Sequence, residues 1–201
     1  MDLVLFTSLL SLAFVGAVTP GPNNLMIMSS SAAFGWRRSL QHLWGIAIGF
    51  AFMNAAVTLG LGQIVERVPE LLIAVKIAGA AWLLWLAYQF VRPKSATGDG
   101  RPTRGRPLRF HEAALFQWVN PKGWTFALAV ASGYVGLLPS HWWRAGVVAL
   151  VFVFMTLLCA GLWMLAGEAL HRYLKGPQAS RIFSLIMAGV IAATAVVILL
   201  S

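Results

Sequence analysis

Two short segments interrupt apolar stretches of the chain and hold the residues best suited to chemistry. The first, TPGPNN, comprises residues 19–24, and the second, NPK, comprises residues 120–122. A residue before proline is driven out of the α region, whereas proline itself fits the first turn of a helix, where its missing N–H is not needed. Each segment therefore predicts a break in a helix, with a new helix starting at its Thr-Pro or Asn-Pro pair.

The two breaks have the same predicted roles. Thr19 and Asn120 are the expected helix caps, and Pro20 and Pro121 are the expected first helical residues. A helix start carries unpaired N–H groups and the positive end of the helix dipole, which together attract an anion. Lys122 adds a full positive charge, and an ionisable group is expensive to bury in an apolar span, so it marks a functional candidate.

Amide side chains at both breaks add hydrogen-bond donors and acceptors, including that of Gln117. The combination favours a ligand that has a carboxylate and further polar groups, such as a free amino acid. Freed backbone carbonyls near Ala17 or Phe116, or the ring of Trp118, are candidates to meet an ammonium group. The predicted substrate-binding residues are Thr19, Pro20, Gly21, Pro22, Asn23, Asn24, Asn120, Pro121 and Lys122.

Each feature also has a structural interpretation. A proline in a membrane helix is usually a kink that neighbouring groups repair, and asparagine often joins one helix to another. Lys122 has the alternative of extending to a membrane interface. The binding hypothesis depends on the conjunction of both breaks in corresponding helices.

The composition indicates an integral membrane protein. Of 201 residues, 59% are hydrophobic and 10% are charged, and the mean hydropathy is +0.78, well above the values of soluble domains. Six apolar runs are long enough to cross a hydrocarbon core of roughly 30 Å. They are placed at residues 3–28, 43–65, 71–91, 112–135, 143–168 and 182–200.

Lysine and arginine are concentrated on one side of this predicted topology. Of the fifteen, eleven lie in the loops after spans 1, 3 and 5, and two, Arg67 and Arg144, lie on the opposite side. Cytoplasmic loops carry an excess of Lys and Arg, so the odd-numbered loops are predicted to be cytoplasmic and both termini outside. The net charge of +9 is therefore explained by topology and contact with membrane lipids, and nucleic-acid binding is not expected.

A basic segment divides the chain into two halves. Residues 92–111 contain three prolines, three glycines and six basic residues, which predicts a cytoplasmic linker without a packed core. It separates residues 1–91 from residues 112–201, each with three spans that enter the membrane in opposite directions. The sequence thus predicts an all-α integral membrane protein of six transmembrane helices, arranged as an inverted 3+3 repeat with breaks in helices 1 and 4.

No motif for catalysis or metal binding is present. The sequence has no Ser-His, zinc or dinucleotide signature, its four histidines lack metal-ligand spacing, and the lone Cys159 lies in an apolar span, where packing is its expected use. We therefore predict that the protein is not an enzyme and has no cofactor and no metal site.

Candidates for proton coupling are few. Proton-coupled transporters commonly carry a carboxylate or histidine within the membrane, but none of the six acids is placed at mid-membrane. Glu112 and Glu168, near the cytoplasmic ends of spans 4 and 5, are the candidate coupling residues. His42 is placed beside the cytoplasmic side.

Small residues on span 2 permit close helix approach. Gly45 and Gly49 form a Gly-x-x-x-Gly motif, which serves either packing within the chain or contact with a second copy in a homodimer.

TPGPNN in span 1, Gly35 before a basic pair, Gly45 and Gly49 in span 2, and QWVNPK in span 4 together resemble the LysE/RhtB family of bacterial amino-acid exporters. The similarity covers the whole chain. It implies efflux of amino acids or their derivatives across the inner membrane, driven by the proton gradient. The pair Asn23-Asn24 is more similar to the cysteine/O-acetylserine type of this family than to members that have Asp at the first position.

A neutral Asn23 removes a negative charge that would hold a cationic side chain. We therefore expect a secondary transporter that exports small neutral amino acids, with the substrate and protons as its partners. The alternative is a passive channel or pore for small solutes, for which a continuous polar helix face is expected, and the spans are too apolar for a wide pore.

Overall fold

The computed structural model describes residues 1–68, 70–91, 106–171 and 176–200. These residues are almost entirely helical and include no strand. Most of the predicted basic linker lies outside the described residues. The nine α-helices of the described part are α1 Leu3–Val18, α2 Pro22–Phe34, α3 Trp36–Ala56, α4 Gly62–Arg67, α5 Glu70–Val91, α6 Phe110–Phe116, α7 Pro121–Gly133, α8 His141–His171 and α9 Pro177–Leu200.

Several of these helices are long and apolar enough to cross a membrane. Within the described residues, four stretches qualify: Trp36–Arg67, Glu70–Val91, His141–Leu170 and Arg181–Leu200. The pair α1 and α2 adds a fifth if it is one span, bent by 52° at the break. The predicted fourth span, 112–135, is divided into α6, a 3₁₀ turn and α7.

The break in the first predicted span lies where TPGPNN stands, but the helix starts at the second proline. Helix α1 ends at Val18, and α2 begins at Pro22 with Gly21 as its cap residue in an extended conformation. The expected cap Thr19 and first residue Pro20 are therefore wrong, and Thr19 instead terminates α1. Because Gly21 precedes a proline it avoids the α region, so a helix beginning at Pro20 is interrupted at its second residue.

The second break follows the prediction. Helix α6 runs into the 3₁₀ turn Gln117–Val119, Asn120 adopts an extended conformation, and Pro121 is the first residue of α7. The Asn120 side chain does not cap this helix. Both new helices therefore begin with proline and without a side-chain cap.

The second predicted span begins earlier than its hydropathy indicates. Helix α3 starts at Trp36, seven residues before the predicted start at 43. Arg37 and Arg38, which were predicted to lie in a loop, are on its first turn. A single residue, Gly35, joins α2 to α3 with φ 84°, a conformation that favours glycine. The short connection holds the end of α2 against α3.

Helix α8 packs against α1, α2 and α3, while α5 packs along α9. Small residues permit the closest approaches. A Cβ atom on Gly45 or Gly49 would collide with α6 at Phe110 and Ala113 or at Ala114. Packing within the chain, one of the two uses predicted for this motif, is thus present in the structure.

Candidate functional site

The end of α1 is held by side chains from two other helices. Asn24 Nδ2 donates to the carbonyls of Ala17 at 2.8 Å and Thr19 at 2.9 Å, and Trp163 Nε1 on α8 donates to the Val18 carbonyl at 3.1 Å. These bonds satisfy carbonyls that have no partner within the helix. The Ala17 carbonyl, a candidate to meet a ligand ammonium, is therefore already occupied.

Lys122 joins the two breaks directly. From the first turn of α7, its Nζ lies 2.8 Å from Thr19 Oγ1, 3.1 Å from the Thr19 carbonyl and 3.4 Å from the Pro20 carbonyl. The side chain therefore points into the protein, and it pairs with no carboxylate among the described residues. No described carboxylate therefore neutralises the Lys122 ammonium beside the two helix starts.

A second link between the breaks is a reciprocal amide pair. Asn23 Nδ2 donates to Gln117 Oε1 at 2.8 Å, and Gln117 Nε2 donates back to Asn23 Oδ1 at 3.1 Å. Gln117 is fully buried and also donates to the Ala113 carbonyl at 2.9 Å. Each of the two amides donates one hydrogen bond to the other and accepts one from it. The pair therefore connects the position of α2 to that of the turn before α7.

Both helix starts border one small pocket, with a cavity volume of about 40 Å³. Its polar lining comes from the two breaks and from Thr156 on α8, and its apolar wall comes from α3, α7 and α8. The polar residues are Asn23, Asn24, Asn120, Lys122 and Thr156, and the larger apolar ones are Ile46, Phe50 and Phe126. No acid is among the described residues that line it.

The polar groups left open in this pocket are of two kinds. The first-turn N–H groups of α2 and α7, at Asn23, Asn24, Lys122 and Gly123, lie before the first intrahelical bond and have no side-chain cap. In contrast, Asn120 Oδ1 and Thr156 Oγ1 are buried oxygen atoms without a hydrogen-bond partner. Open donors suit an anion, and open acceptors suit a cation or another donor.

The structure brings most of the predicted binding residues together. Gly21, Pro22, Asn23, Asn24, Asn120 and Lys122 line the pocket. Thr19 and Pro20 contact Lys122 Nζ from the adjoining segment. Pro121 does not line the pocket, although it sets the start of α7.

The two candidate coupling acids lie away from this pocket and have partners of their own. Glu112 accepts two bonds from the Arg106 guanidinium, at 2.7 and 2.8 Å, and one from the Arg109 N–H at the start of α6. The hydrogen bond to Glu112 raises the pKa of Arg106 above its usual value. Glu168 accepts from the Trp36 N–H at 2.9 Å, at the start of α3.

Sequence reasoning did not identify the contribution of α8. Thr156 lines the pocket and Trp163 holds the end of α1, but both stand singly in the apolar run from 143 to 168. A lone threonine or tryptophan in a membrane helix carries no local signal. The packing of α8 against α1 and α2 is what places these side chains at the breaks.

The sequence profile of the LysE type translocator family matches residues 14–201 of the chain. The chain belongs to this family. The resemblance noted from TPGPNN and QWVNPK is therefore confirmed. Its members are membrane transporters rather than enzymes, which agrees with the prediction that the chain is not an enzyme.

Several bacterial members of the LysE family are similar to the chain over most of its length. A cysteine/O-acetylserine efflux protein of Klebsiella pneumoniae subsp. pneumoniae is 33% identical over 180 residues, which cover 86% of each chain. A protein of the same name from Salmonella choleraesuis is 30% identical over 197 residues, 93% of this chain and 95% of its own. No solved structure matches the chain. Family membership and the apolar helices identify a multi-pass membrane transporter.

Proposed function

We propose that this protein is a secondary transporter that exports small neutral amino acids, or derivatives of them, across the bacterial inner membrane. The observation that carries the proposal is the pocket between the two breaks, whose lining includes two uncapped helix starts and two residues, Asn120 and Thr156, that each have a buried oxygen without a partner. Membership of the translocator family and the printed names of its cysteine/O-acetylserine relatives support the same substrate class.

An amino acid matches the open groups of the pocket by charge. Its carboxylate is bound by the first-turn N–H groups of α2 and α7, and the Lys122 ammonium adds electrostatic attraction. Its ammonium donates to Asn120 Oδ1 and Thr156 Oγ1, the buried acceptors that otherwise have no partner. Its side chain packs against the apolar wall of the pocket. Because no acidic residue is among the described lining residues, a substrate with a second positive charge is disfavoured.

We also propose the six-span inverted repeat and its orientation. In this arrangement α1 and α2 correspond to α6 and α7, α3 to α8, and α5 to α9. Corresponding contacts support the assignment, because α3 packs on α6 as α8 packs on α1, and the central pairs are α3 with α8 and α5 with α9. The arginine distribution supports an orientation with both termini outside.

Transport then follows from relative movement of the two halves. Inverted repeats commonly expose a central site to one side and then to the other by rocking of one half against its partner. Here Lys122 and the Asn23–Gln117 pair cross between the halves at the site itself, so substrate binding and the relative position of the halves are connected. Coupling to the proton gradient through Glu112 or Glu168 stays a prediction.

Substitution of Thr156 by valine is expected to lower export of the preferred amino acid roughly 10- to 100-fold, since a hydrogen bond to a charged group contributes roughly 1.5–3 kcal/mol. Valine has a similar volume but lacks the hydroxyl, which is both a donor and an acceptor. Efflux of labelled amino acids from preloaded cells measures the effect, and Asn120→Ala, which removes the second acceptor, is expected to act in the same direction.

The matched control is Thr194→Val on α9, whose hydroxyl donates to its own helix at the Val190 carbonyl. This variant is expected to export like the wild type. Wild-type rates in properly inserted Thr156→Val and Asn120→Ala variants contradict the proposed binding mode. A wild-type protein that only equilibrates its solutes, and never drives them against a gradient, is a channel and not a secondary transporter.

The orientation has its own test. A reporter enzyme that is active only in the periplasm, fused after Ser201, is expected to be active because the C-terminus is placed outside. The control is the same reporter inserted between Gly98 and Asp99, in the basic linker, which is expected to be inactive. A stable C-terminal fusion without activity overturns the proposed topology.

A further inference from the structure

A second cavity lies between α2, α3, α5 and the segment before α6, with a volume of about 50 Å³. It lies at the end of the molecule that the arginine distribution assigns to the cytoplasm. Its polar lining consists of Ser29, Ser30, His42, Gln89 and Arg106. It is separate from the proposed substrate pocket, because no residue lines both.

His42 is the ionisable group buried in this cavity. Its side chain is 0% exposed, and its Nδ1 lies 2.9 Å from Ser30 Oγ on α2. The sequence predicted the place of His42 beside the cytoplasmic side but not its burial. Histidine is the side chain that changes charge nearest neutral pH, and an ionisable residue buried in a membrane span is a functional candidate.

The described residues that line this cavity include one charged side chain, that of Arg106. Arg106 lines the cavity from the segment before α6, and its charge is offset by Glu112. Helices α2 and α5 contribute only uncharged polar groups to the cavity. On α3, Arg37 and Arg38 are exposed, and on α8 Glu168 binds the start of α3.

Protonation of His42 acts directly on α2. A neutral Nδ1 without hydrogen accepts from the Ser30 hydroxyl, whereas a protonated ring donates at Nδ1, so the hydroxyl must turn to accept. Ser30 is on the same 13-residue helix whose start, Asn23 and Asn24, lines the substrate pocket. On α3, Ile46 lies one turn from His42 and also lines that pocket. The two cavities thus share the same two helices.

We propose that His42 is the proton-binding group that couples export to the proton gradient, with Ser30 as the partner that passes its protonation state to α2. The proposal rests on the proposed function. A proton bound at His42 changes the hydrogen bond to α2, and movement of α2 alters the helix start at the substrate pocket. The proton and the substrate then occupy separate cavities and influence one another through α2 and α3.

The test uses the full-length protein in proteoliposomes and two readouts. Net export driven by an imposed pH difference requires coupling, whereas exchange of labelled for unlabelled substrate at equal pH requires only binding and movement. For His42→Gln we expect exchange within about threefold of the wild type and loss of at least tenfold in export driven by the pH difference. His111→Gln, an exposed histidine on α6, is the matched control and is expected to retain both.

The outcomes separate this inference from the proposed function. Absence of both exchange and export of any amino acid by the wild type overturns the proposed function. An active wild type with a pH-driven response retained in His42→Gln, or lost instead in Glu112→Gln or Glu168→Gln, overturns the role of His42 alone. Loss of both readouts in an inserted His42→Gln protein also overturns it, since the residue is then structural. If that variant does not insert, Ser30→Ala decides: a shifted pH profile of transport supports the inference, and an unchanged profile overturns it.

Discussion

Replacement of Lys122 by methionine is expected to lower amino-acid export roughly 10- to 100-fold, because hydrogen bonds to a charged group contribute roughly 1.5–3 kcal/mol. The change removes the ammonium that bonds Thr19 Oγ1 and the Thr19 and Pro20 carbonyls. It also removes the positive charge among the described residues that line the substrate pocket. The rate of efflux of labelled amino acids, normalised to inserted protein, measures the effect.

Arginine is expected to restore little activity at this position. A Cβ on Gly21 would lie 3.0 Å from Lys122 Nζ, so the ammonium sits close against the backbone of the break, and the larger planar guanidinium does not fit the same place. Lys76→Met, on α5 and outside the lining of the pocket, is the matched control and is expected to export normally. Export at the wild-type rate by an inserted Lys122→Met variant removes Lys122 from the proposed site.

Local backbone chemistry explains why both breaks could be predicted from the sequence. Proline restricts the residue before it, so Thr-Pro, Gly-Pro and Asn-Pro each end an α-helical segment within one residue. At Asn120-Pro121 there is one proline, and the predicted start of α7 is confirmed. At TPGPNN there are two, and only the joint restriction by both prolines places the helix start at Pro22.

Burial and long-range contacts explain what the sequence did not predict. Arg37 and Arg38 look like loop residues by hydropathy, but on the first turn of α3 they extend to the exposed surface. Thr156 and His42 have no neighbours in sequence that mark a site. Whether Thr156 and His42 line a cavity depends on which face of α8 or α3 is buried. Packing between helices that are far apart in the chain determines that face.

A change of charge at Asn23 is expected to reverse the preference for substrate charge. In Asn23→Asp, a carboxylate oxygen replaces Nδ2, which lies 2.8 Å from Gln117 Oε1, so a donor–acceptor bond becomes a contact between two acceptors. An unsatisfied buried polar group costs roughly 1–3 kcal/mol, which predicts a loss of roughly 5- to 100-fold in export of neutral amino acids. The new negative charge also places an anion in a pocket whose described lining residues include no acid.

The ratio of lysine export to neutral amino-acid export measures this change. It is expected to rise at least tenfold in Asn23→Asp, because the carboxylate attracts a second positive charge on the substrate and the neutral substrates lose rate. Gln117→Glu is the matched variant, since it places the same charge on the other half of the amide pair and breaks the same bond. If both variants keep the wild-type ratio, a charge at the amide pair does not affect substrate binding, and the prediction is wrong. If only Gln117→Glu changes the ratio, the selective contact belongs to the turn before α7 and not to the start of α2.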